Sequence, residues 1–540
     1  MESNVHKRNR ALRALQQKAK SGVIESIYQL YQNYSRGQDV QPDSKLASNY
    51  FSQLQSTLDG KQFTLKSIEL NNFRRFKELV IEFDKKLTVI IGDNGSGKTS
   101  VIDAVAKIFS WFNNNLEKED VNGRPIIETD INLNASEAEV AGYFELDALN
   151  IFHSKLCKSA PGVLGGAKTD VSSLKLHASI YKTIGKSPTT IIPLLVYYSV
   201  DRSFLSISNT FPDSLEENLR QSRFNALDES TSGKAGLKGF FEYYISLFDR
   251  SRSTVDDKIQ KLKSEIESIQ SIIDSLNKTE NSPVLGILQN QIELKHKELA
   301  YKENTPKQIY EKHLQFVNSA IYSLVPDVSD LHVDRTSGKT MILANNFGNK
   351  VSISQLSKGQ QTLLVMAGDL ARRLVTLNPD SDNPLDGSGI VLIDEIDLHL
   401  HPRWQQEVIP ALLKTFPNLQ FIVTTHSPQV LSTVDNKSIR KLSFDSENNS
   451  SISVPGFQTK GVASADVLYR IMDINPVPEN LEEAMWQRHF SEALERGDVE
   501  LKSSYFQRIV DHFGDGHPVV VECMSQERIF EMRKRLKKSL

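Results

Sequence analysis

Between residues 64 and 91 the apolar and polar positions first alternate and then merge. TLKSIELNNF and FKELVIEF change face at every residue, the period of a half-buried strand. KLTVIIG is apolar without a break, as in a strand covered on both sides. Three later runs share that second character: PLLVYYSV at 193–200, GSGIVLIDE at 387–395 and NLQFIVTTH at 418–426. TSVIDAVAKIFSWF, just after the strand KLTVI, reads as an amphipathic helix, and QQTLLVMAGDLARRL from 360 reads as another. Buried strands separated by helices predict an α/β domain with a parallel or mixed sheet. Residues 113–190 are mixed and specify no element.

The flanks differ from this centre. Ala11, Leu12, Leu15 and Ala19 fall at helical spacing, as do Ile24, Ile27, Tyr28 and Tyr31. A break containing Gly37 follows, and a second helix opens near Pro42–Asp43. This predicts a helix pair over 1–60, like one unit of a tetratricopeptide-type repeat, with small residues at Gly22, Gly37 and Ala47. One unit cannot bury its own apolar face, so it must dock on the chain or on a partner. Val255, Ile259, Leu262, Ile266, Ile269, Ile273 and Leu276 form a heptad seam. The breaker NKTENSP and a return helix with Leu285, Leu288, Ile292 and Leu299 complete a short antiparallel coiled-coil hairpin. Residues 456–540 read as mostly helical, with VVVEC at 519–523 as a strand. The division expected is 1–60 helical, 61–250 the first lobe of the α/β head, 251–305 the hairpin insertion, 306–455 the second lobe, and 456–540 a helical partner-binding region.

Composition narrows the class. A chain of 540 residues exceeds one compact core. It has no run of 18 apolar residues and an opening, MESNVHKRNR, without the apolar core of a secretion signal. Cys157 and Cys523 lie far apart without metal-site spacing, so they read as free thiols in a reducing, cytoplasmic setting. The net charge of −3 makes no case for nucleic acid, but charge is clustered. Lys7, Arg8, Arg10, Arg13, Lys18 and Lys20 lie near the start, and Arg528, Arg533, Lys534, Arg535, Lys537 and Lys538 lie near the end. With Lys258, Lys261 and Lys263 of the hairpin they are candidate contacts for DNA phosphates or acidic partners, or simply solvated helix faces.

Chemistry enters at Gly92-Asp93-Asn94-Gly95-Ser96-Gly97-Lys98-Thr99. It satisfies G-x-x-x-x-G-K-[ST] between an apolar strand and a helix. Glycines let the loop bend so that its N–H groups face phosphates, and the helix N-terminus adds positive potential. The candidate ATP contacts are Gly92, Asn94, Gly95, Gly97, Lys98, Thr99 and Ser100. Lys98 would reach the β- and γ-phosphates, and the Thr99 hydroxyl would hold Mg²⁺. In IVLIDE, two acids end a buried strand, where open α/β sheets bind ligands. Asp394 is the second candidate for Mg²⁺, and Glu395 the group that orients and deprotonates the attacking water.

Two further segments carry a resemblance. Leu356-Ser357-Lys358-Gly359-Gln360-Gln361 resembles the signature motif of ABC-type ATPases, usually written LSGGQ; alone it is an N-capped helix start. Thr425-His426-Ser427-Pro428, after the strand FIVT, resembles that family's switch histidine. The order of phosphate loop, signature, acid pair and histidine is the family's order. The resemblance implies a catalytic part for His426. It also implies a head-to-tail dimer in which Ser357, Gly359 and Gln360 of one subunit complete the site on Lys98 of another. The hairpin insertion and the turn Asn72–Phe76 are similar to the SMC, RecF and OLD branch. DLHLHP at 397–402 is similar to the D-loop of OLD-like ATPases, with His399 and His401 as packing residues. For the family's Q-loop glutamine, residues 120–135 offer only Asp130. HPVVVECMSQERIF resembles the start of a Toprim nuclease domain, with Glu522 in the acidic position, but too little chain follows to complete one.

The overall layout resembles the Septu-type antiphage ATPases, in particular those accompanying retrons. That implies an ATPase, with ATP and Mg²⁺, forming a homodimer or higher oligomer. It also implies an HNH endonuclease partner, and a reverse transcriptase with its RNA-linked single-stranded DNA. A stand-alone DNA-repair ATPase like RecF is the alternative.

Overall fold

In a computed structural model, the structure describes residues 2–38, 40–163, 166–187, 190–204, 210–211, 222–233, 237–252, 255–276, 288, 290–297, 299 and 307–538. The chain divides into two compact units, Met1–Lys460 and Gly461–Leu540.

The first unit opens with three helices, α1 (Glu2–Lys20), α2 (Ile24–Arg36) and α3 (Ser44–Leu58), instead of the expected pair. Gly22, at φ +93°, turns the chain where helical spacing seems continuous. Gly37 ends α2 in the left-handed conformation, and the Asp43 carboxylate caps α3 by accepting from the amides of Lys45 and Leu46. This bundle docks on the head. The Ile24 amide donates to Asn150 Oδ1, Ser173 Oγ donates to Glu25, and Lys61 pairs with Asp147.

The head contains β1 (Thr64–Phe73), β2 (Phe76–Glu82), β3 (Leu87–Ile91), β4 (Glu137–Glu145), β5 (Ile151–Ser159), β6 (Leu194–Tyr198), β7 (Val328–Asp334), β8 (Met341–Asn346), β9 (Asn349–Ser352), β10 (Gly389–Ile393), β11 (Leu419–Thr424), β12 (Ile439–Phe444) and β13 (Ser450–Ser453). They form a four-stranded antiparallel sheet, β2-β1-β4-β5, a small sheet β7-β8-β9, and a six-stranded sheet, β13-β12-β3-β11-β10-β6. The last is parallel except for its edge strand β13, hence mixed. Its strands β3, β6, β10 and β11 are buried at every residue, as their unbroken apolar runs require.

Helix α4 (Lys98–Glu117) touches strands of both large sheets and is buried on all faces from Val101 to Asn113. It is therefore a central helix, not the amphipathic one expected; Asp103, Lys107 and Asn113, which break its apolar pattern, are themselves buried and bonded.

Helix α9 (Lys358–Leu377) packs against α6 (Leu237–Arg252) and α8 (Lys307–Leu324), which also pack on each other. Gly368 in α9 admits the Phe240 ring of α6: a Cβ there would lie 2.3 Å from it. From α6 the chain enters α7 (Val255–Leu276), where Leu262, Ile266 and Ile273 are buried and Ile269 is half-buried. The helical residues 290–297 run back, and Glu265 pairs with Lys295 at 2.6 Å, the short antiparallel hairpin expected. The breaker at 277–283, Leu285, and the side chains of Val255, Lys258, Ile259 and Leu276 lie outside the described residues, as do those of Lys7, Arg8, Lys537 and Lys538.

The second unit is all helical over Ser464–Arg470, Glu482–Arg496, Val499–Phe513 and Pro518–Lys538, around Phe490, Leu494, Ile509, Val520 and Cys523. Residues 519–523 are thus helix, not the strand expected. Val520 and Cys523 point at this core, and tertiary packing overrides the β-propensity of three valines. Among the described residues, no helix is long and apolar enough to cross a membrane.

Candidate active site

Four adjacent parallel strands end at one edge of the mixed sheet, in the order β3, β11, β10, β6. Each delivers one candidate segment there: the loop 92–99, Thr425-His426, Asp394-Glu395 and Arg202. Sequence distances of hundreds of residues collapse to neighbouring strand ends.

The loop is held by its glycines and by the Asn72–Phe76 turn. Gly95 and Gly97 lie at φ +75° and +96°. A Cβ on Gly97 would meet Phe76 Cζ at 2.6 Å, and one on Gly92 would meet the Leu442 carbonyl at 2.6 Å. The Arg75 guanidinium stacks on Phe444 at 3.6 Å and donates to the Gly95 carbonyl. Lys98 is buried, with Nζ donating to the carbonyls of Gly92 and Asp93 at 2.8 and 2.9 Å. Burial lowers its pKa, while the nearby carboxylates of Asp394, Glu395, Asp93 and Asp397 pull the other way. Thr99 is exposed at the mouth, and Asn94 is exposed on the loop. Ser100 Oγ accepts from Arg74, whose guanidinium also pairs with Asp103 and Asp130.

That last pair corrects the Q-loop expectation. Asp130 is buried and accepts from Arg74, Lys107 and the Ile127 amide. Burial pushes its pKa up, but these donors outweigh it and hold the carboxyl below the usual range. Asp130 is committed to this network beside α4.

The acid pair is fastened from both sides. Thr424 Oγ1 donates to Asp394 Oδ1 at 2.5 Å and accepts from the Glu395 amide at 2.7 Å. Thr425 Oγ1 donates to Asp397 at 2.5 Å. Arg202, buried at the end of β6, donates to the carbonyls of Asp394 (2.5 Å), Glu395 (2.6 Å) and Ser199 (2.8 Å). Burial lowers its pKa, opposed by the charges of Asp394, Glu395 and Asp397. Glu395 itself stands at φ +49°. For a side chain without glycine's freedom this costs about 1–2 kcal/mol, a strain that persists only where the surroundings impose it. The residues fit a magnesium-bound nucleotide. Asp394 Oδ2 and Ser96 Oγ are both buried without a hydrogen-bond partner among the described residues, and an unpaired buried carboxylate oxygen is complementary to a hard cation.

The signature segment opens α9. Ser357 and Gln360 form a capping box at the start of α9, with Ser357 Oγ accepting from the Gln360 amide and the Ser357 amide donating to Gln360 Oε1. Gln360 Nε2 donates to Asn346. A Cβ on Gly359 would lie 2.6 Å from the His399 carbonyl, so this glycine lets the segment lean on the turn that follows the acid pair. Among the described residues, Ser357 and Gln360 hydrogen-bond each other, and Gln360 reaches Asn346. His426 is half-buried, between Thr425 and Ser427, whose hydroxyls are engaged with Asp397 and Gln405. His399 and His401 are exposed, and His401 Nδ1 accepts from the Arg403 amide at the start of the helix Pro402–Thr415. They are turn and cap residues instead of the packing residues expected; among the described residues no metal-binding cluster occurs. Sequence reasoning did not single out Arg202 or Thr424. The only signal for either was a polar side chain at the carboxyl end of a buried strand.

Residues 64–431 match the family described as AAA ATPase domain. The Escherichia coli protein named "Retron Ec83 probable ATPase" is 34% identical, over 98% of this chain and 99% of that one. The chain belongs to the retron-type AAA ATPases. This ATPase is also 30% identical to "Retron Vc95 probable ATPase" of Vibrio cholerae serotype O1 biovar El Tor, over 78% of its own length and 82% of the relative's. It is 22% identical to "Septu protein PtuA" of Bacillus thuringiensis, over 71% and 76%.

Proposed function

We propose that this ATPase is the nucleotide-driven subunit of an antiphage defence system, in which ATP binding and hydrolysis hold and release a partner HNH endonuclease. The reading rests on the convergence of loop 92–99, Asp394-Glu395 and His426 at one sheet edge, with Asp394 Oδ2 buried and, among the described residues, without a hydrogen-bond partner. Similarity over nearly the full chain to an ATPase named for a retron supports the defence setting. It also supports a reverse transcriptase and its RNA-linked single-stranded DNA as further partners.

Lys98 and the loop amides bind the phosphates, and Thr99 and Asp394 would hold Mg²⁺, which would supply charge neutralisation at the phosphates. Glu395 orients a water and accepts its proton, and His426 contacts the terminal phosphate. A second subunit, docked head to tail, brings its Ser357, Gly359 and Gln360 over that phosphate. Supporting this, Ser357 and Gln360 cap the N-terminus of a long helix, where main-chain amides favour an anion.

Glu395→Gln tests the chemistry. The full chain should still bind ATP and accumulate in the ATP-bound dimer, with turnover lowered by about 10²-fold or more, the usual scale for loss of a general base. Turnover equal to the parent overturns the assignment. Mixing Ser357→Arg with Lys98→Ala subunits tests the composite site: at most one site per dimer should regain activity, and none if each subunit works alone. Co-purification identifies the partners, with an HNH protein and a DNA–RNA species expected.

A further inference from the structure

The peptide of Glu395 is gripped at both ends. Its N–H donates to Thr424 Oγ1 at 2.7 Å, and its C=O accepts from Arg202 Nη2 at 2.6 Å. Between these bonds the residue holds φ +49°. Neither bond is needed to keep the strand in place. β10 already pairs with β6 from Gly389 to Ile393, and the Asp394 amide reaches the Tyr198 carbonyl at 2.9 Å. On the β10 chain the extra donors act where it leaves the sheet, at Asp394 and Glu395, while Arg202 also anchors to the Ser199 carbonyl of its own turn.

The choice of side chains is also uneconomical for plain packing. Arg202 is a buried cation hydrogen-bonded to main-chain carbonyls, with Nε unpartnered among the described residues. Its fork spans two successive carbonyls, which a single ammonium cannot do. Thr424 uses one hydroxyl for two bonds, donating to Asp394 Oδ1 and accepting from the Glu395 amide. Among the described residues that leaves Asp394 Oδ2 without a hydrogen bond.

We infer that Arg202 and Thr424 are positioning residues that clamp the Glu395 peptide in its left-handed turn and so fix where its carboxylate stands against the bound triphosphate. The inference rests on Glu395 being the group that activates water. If either grip is released, the peptide relaxes toward the ordinary right-handed or extended regions, and the Cα–Cβ direction of Glu395 swings away.

The test uses the full chain, with steady-state ATP hydrolysis and equilibrium binding of a non-hydrolysable ATP analogue. A displacement of about 1 Å at a reacting group lowers turnover roughly 10²-fold, so Arg202→Lys and Thr424→Val should each lose about that in kcat. Analogue affinity should change less than about threefold, because the phosphate loop is untouched. Thr424→Ser, which keeps the hydroxyl, should restore kcat to within about threefold of the parent. Millimolar guanidinium should partly restore Arg202→Ala, and Arg202→Lys carries the test if that variant does not fold. The clamp is overturned if Arg202→Lys or Thr424→Val keeps parental kcat, or if kcat and analogue affinity fall together. Glu395→Gln is assayed alongside. If it is as active as the parent, the base assignment fails and takes the clamp with it. If it is inactive while Arg202→Lys and Thr424→Val turn over normally, the clamp alone fails.

Discussion

Asp369→Asn probes what holds the signature helix to the sheet. Asp369 lies on α9 and is fully buried, as is Arg373. Its Oδ2 accepts from Arg373 Nε at 2.7 Å and from the Tyr198 hydroxyl at 2.9 Å, and its Oδ1 accepts from Arg372 at 2.6 Å. Arg373 also reaches the carbonyls of Ala226 and Asp228, with Nη2 already unpartnered among the described residues. Asparagine keeps the shape but leaves a buried cation without its counter-charge. Breaking a buried pair from one side costs about 3–5 kcal/mol. With about 2.1 cal/mol/K of unfolding entropy per residue, a cooperative unit spanning Met1–Lys460 has roughly 1 kcal/mol/K, so Tm should fall by about 3–5 °C. Calorimetry at pH 7 measures it. Burial pushes the Asp369 carboxyl up, but Arg373 and Arg372 outweigh it and hold its pKa below the usual range. Its stabilisation is therefore complete above the unfolded value near pH 4 and fades as pH falls through the lower folded value. The gap between parent and variant should shrink on acidification below about pH 4. A Tm within about 1 °C of the parent at pH 7, or a gap that widens in acid, would refute the account.

Gly97→Ala puts a methyl 2.6 Å from the Phe76 ring at φ +96°, so binding of a fluorescent ATP analogue should fall by at least about tenfold while the second unit stays folded. In the hairpin, Leu288, Ile292, Lys295 and Leu299 follow a 4-3-4 spacing, so Lys295 occupies a seam position. Its pair with Glu265 is partly exposed and worth at most about 1 kcal/mol. Lys295→Leu should therefore leave the arm at least as resistant to thermolysin as the parent; faster cleavage would show that the ion pair, not the seam, secures the return helix.

The parts legible in the sequence were those whose signal is local. Unbroken apolar runs gave β3, β6, β10 and β11, because a strand covered on both faces has no polar alternation to hide. The loop 92–99 was readable because its glycines answer to backbone geometry within eight residues. Arg202 was not readable. It acts on carbonyls 192 and 193 positions away, and main-chain acceptors leave no mark in a sequence. The same holds for Asp130, which sits where a nucleotide-sensing residue was sought but answers to Arg74 and Lys107. At 519–523, a β-branched run outweighed the four- and three-residue spacing of Val520, Cys523, Glu527 and Phe530 that marks a helix face.

The arm leaves the head from α6 and returns to α8, and both of these helices are packed against α9. Its root is thus seated on the helix that the signature segment opens, with Phe240 wedged at Gly368. Any shift of that root must therefore be taken up at α9, the helix that the signature segment opens.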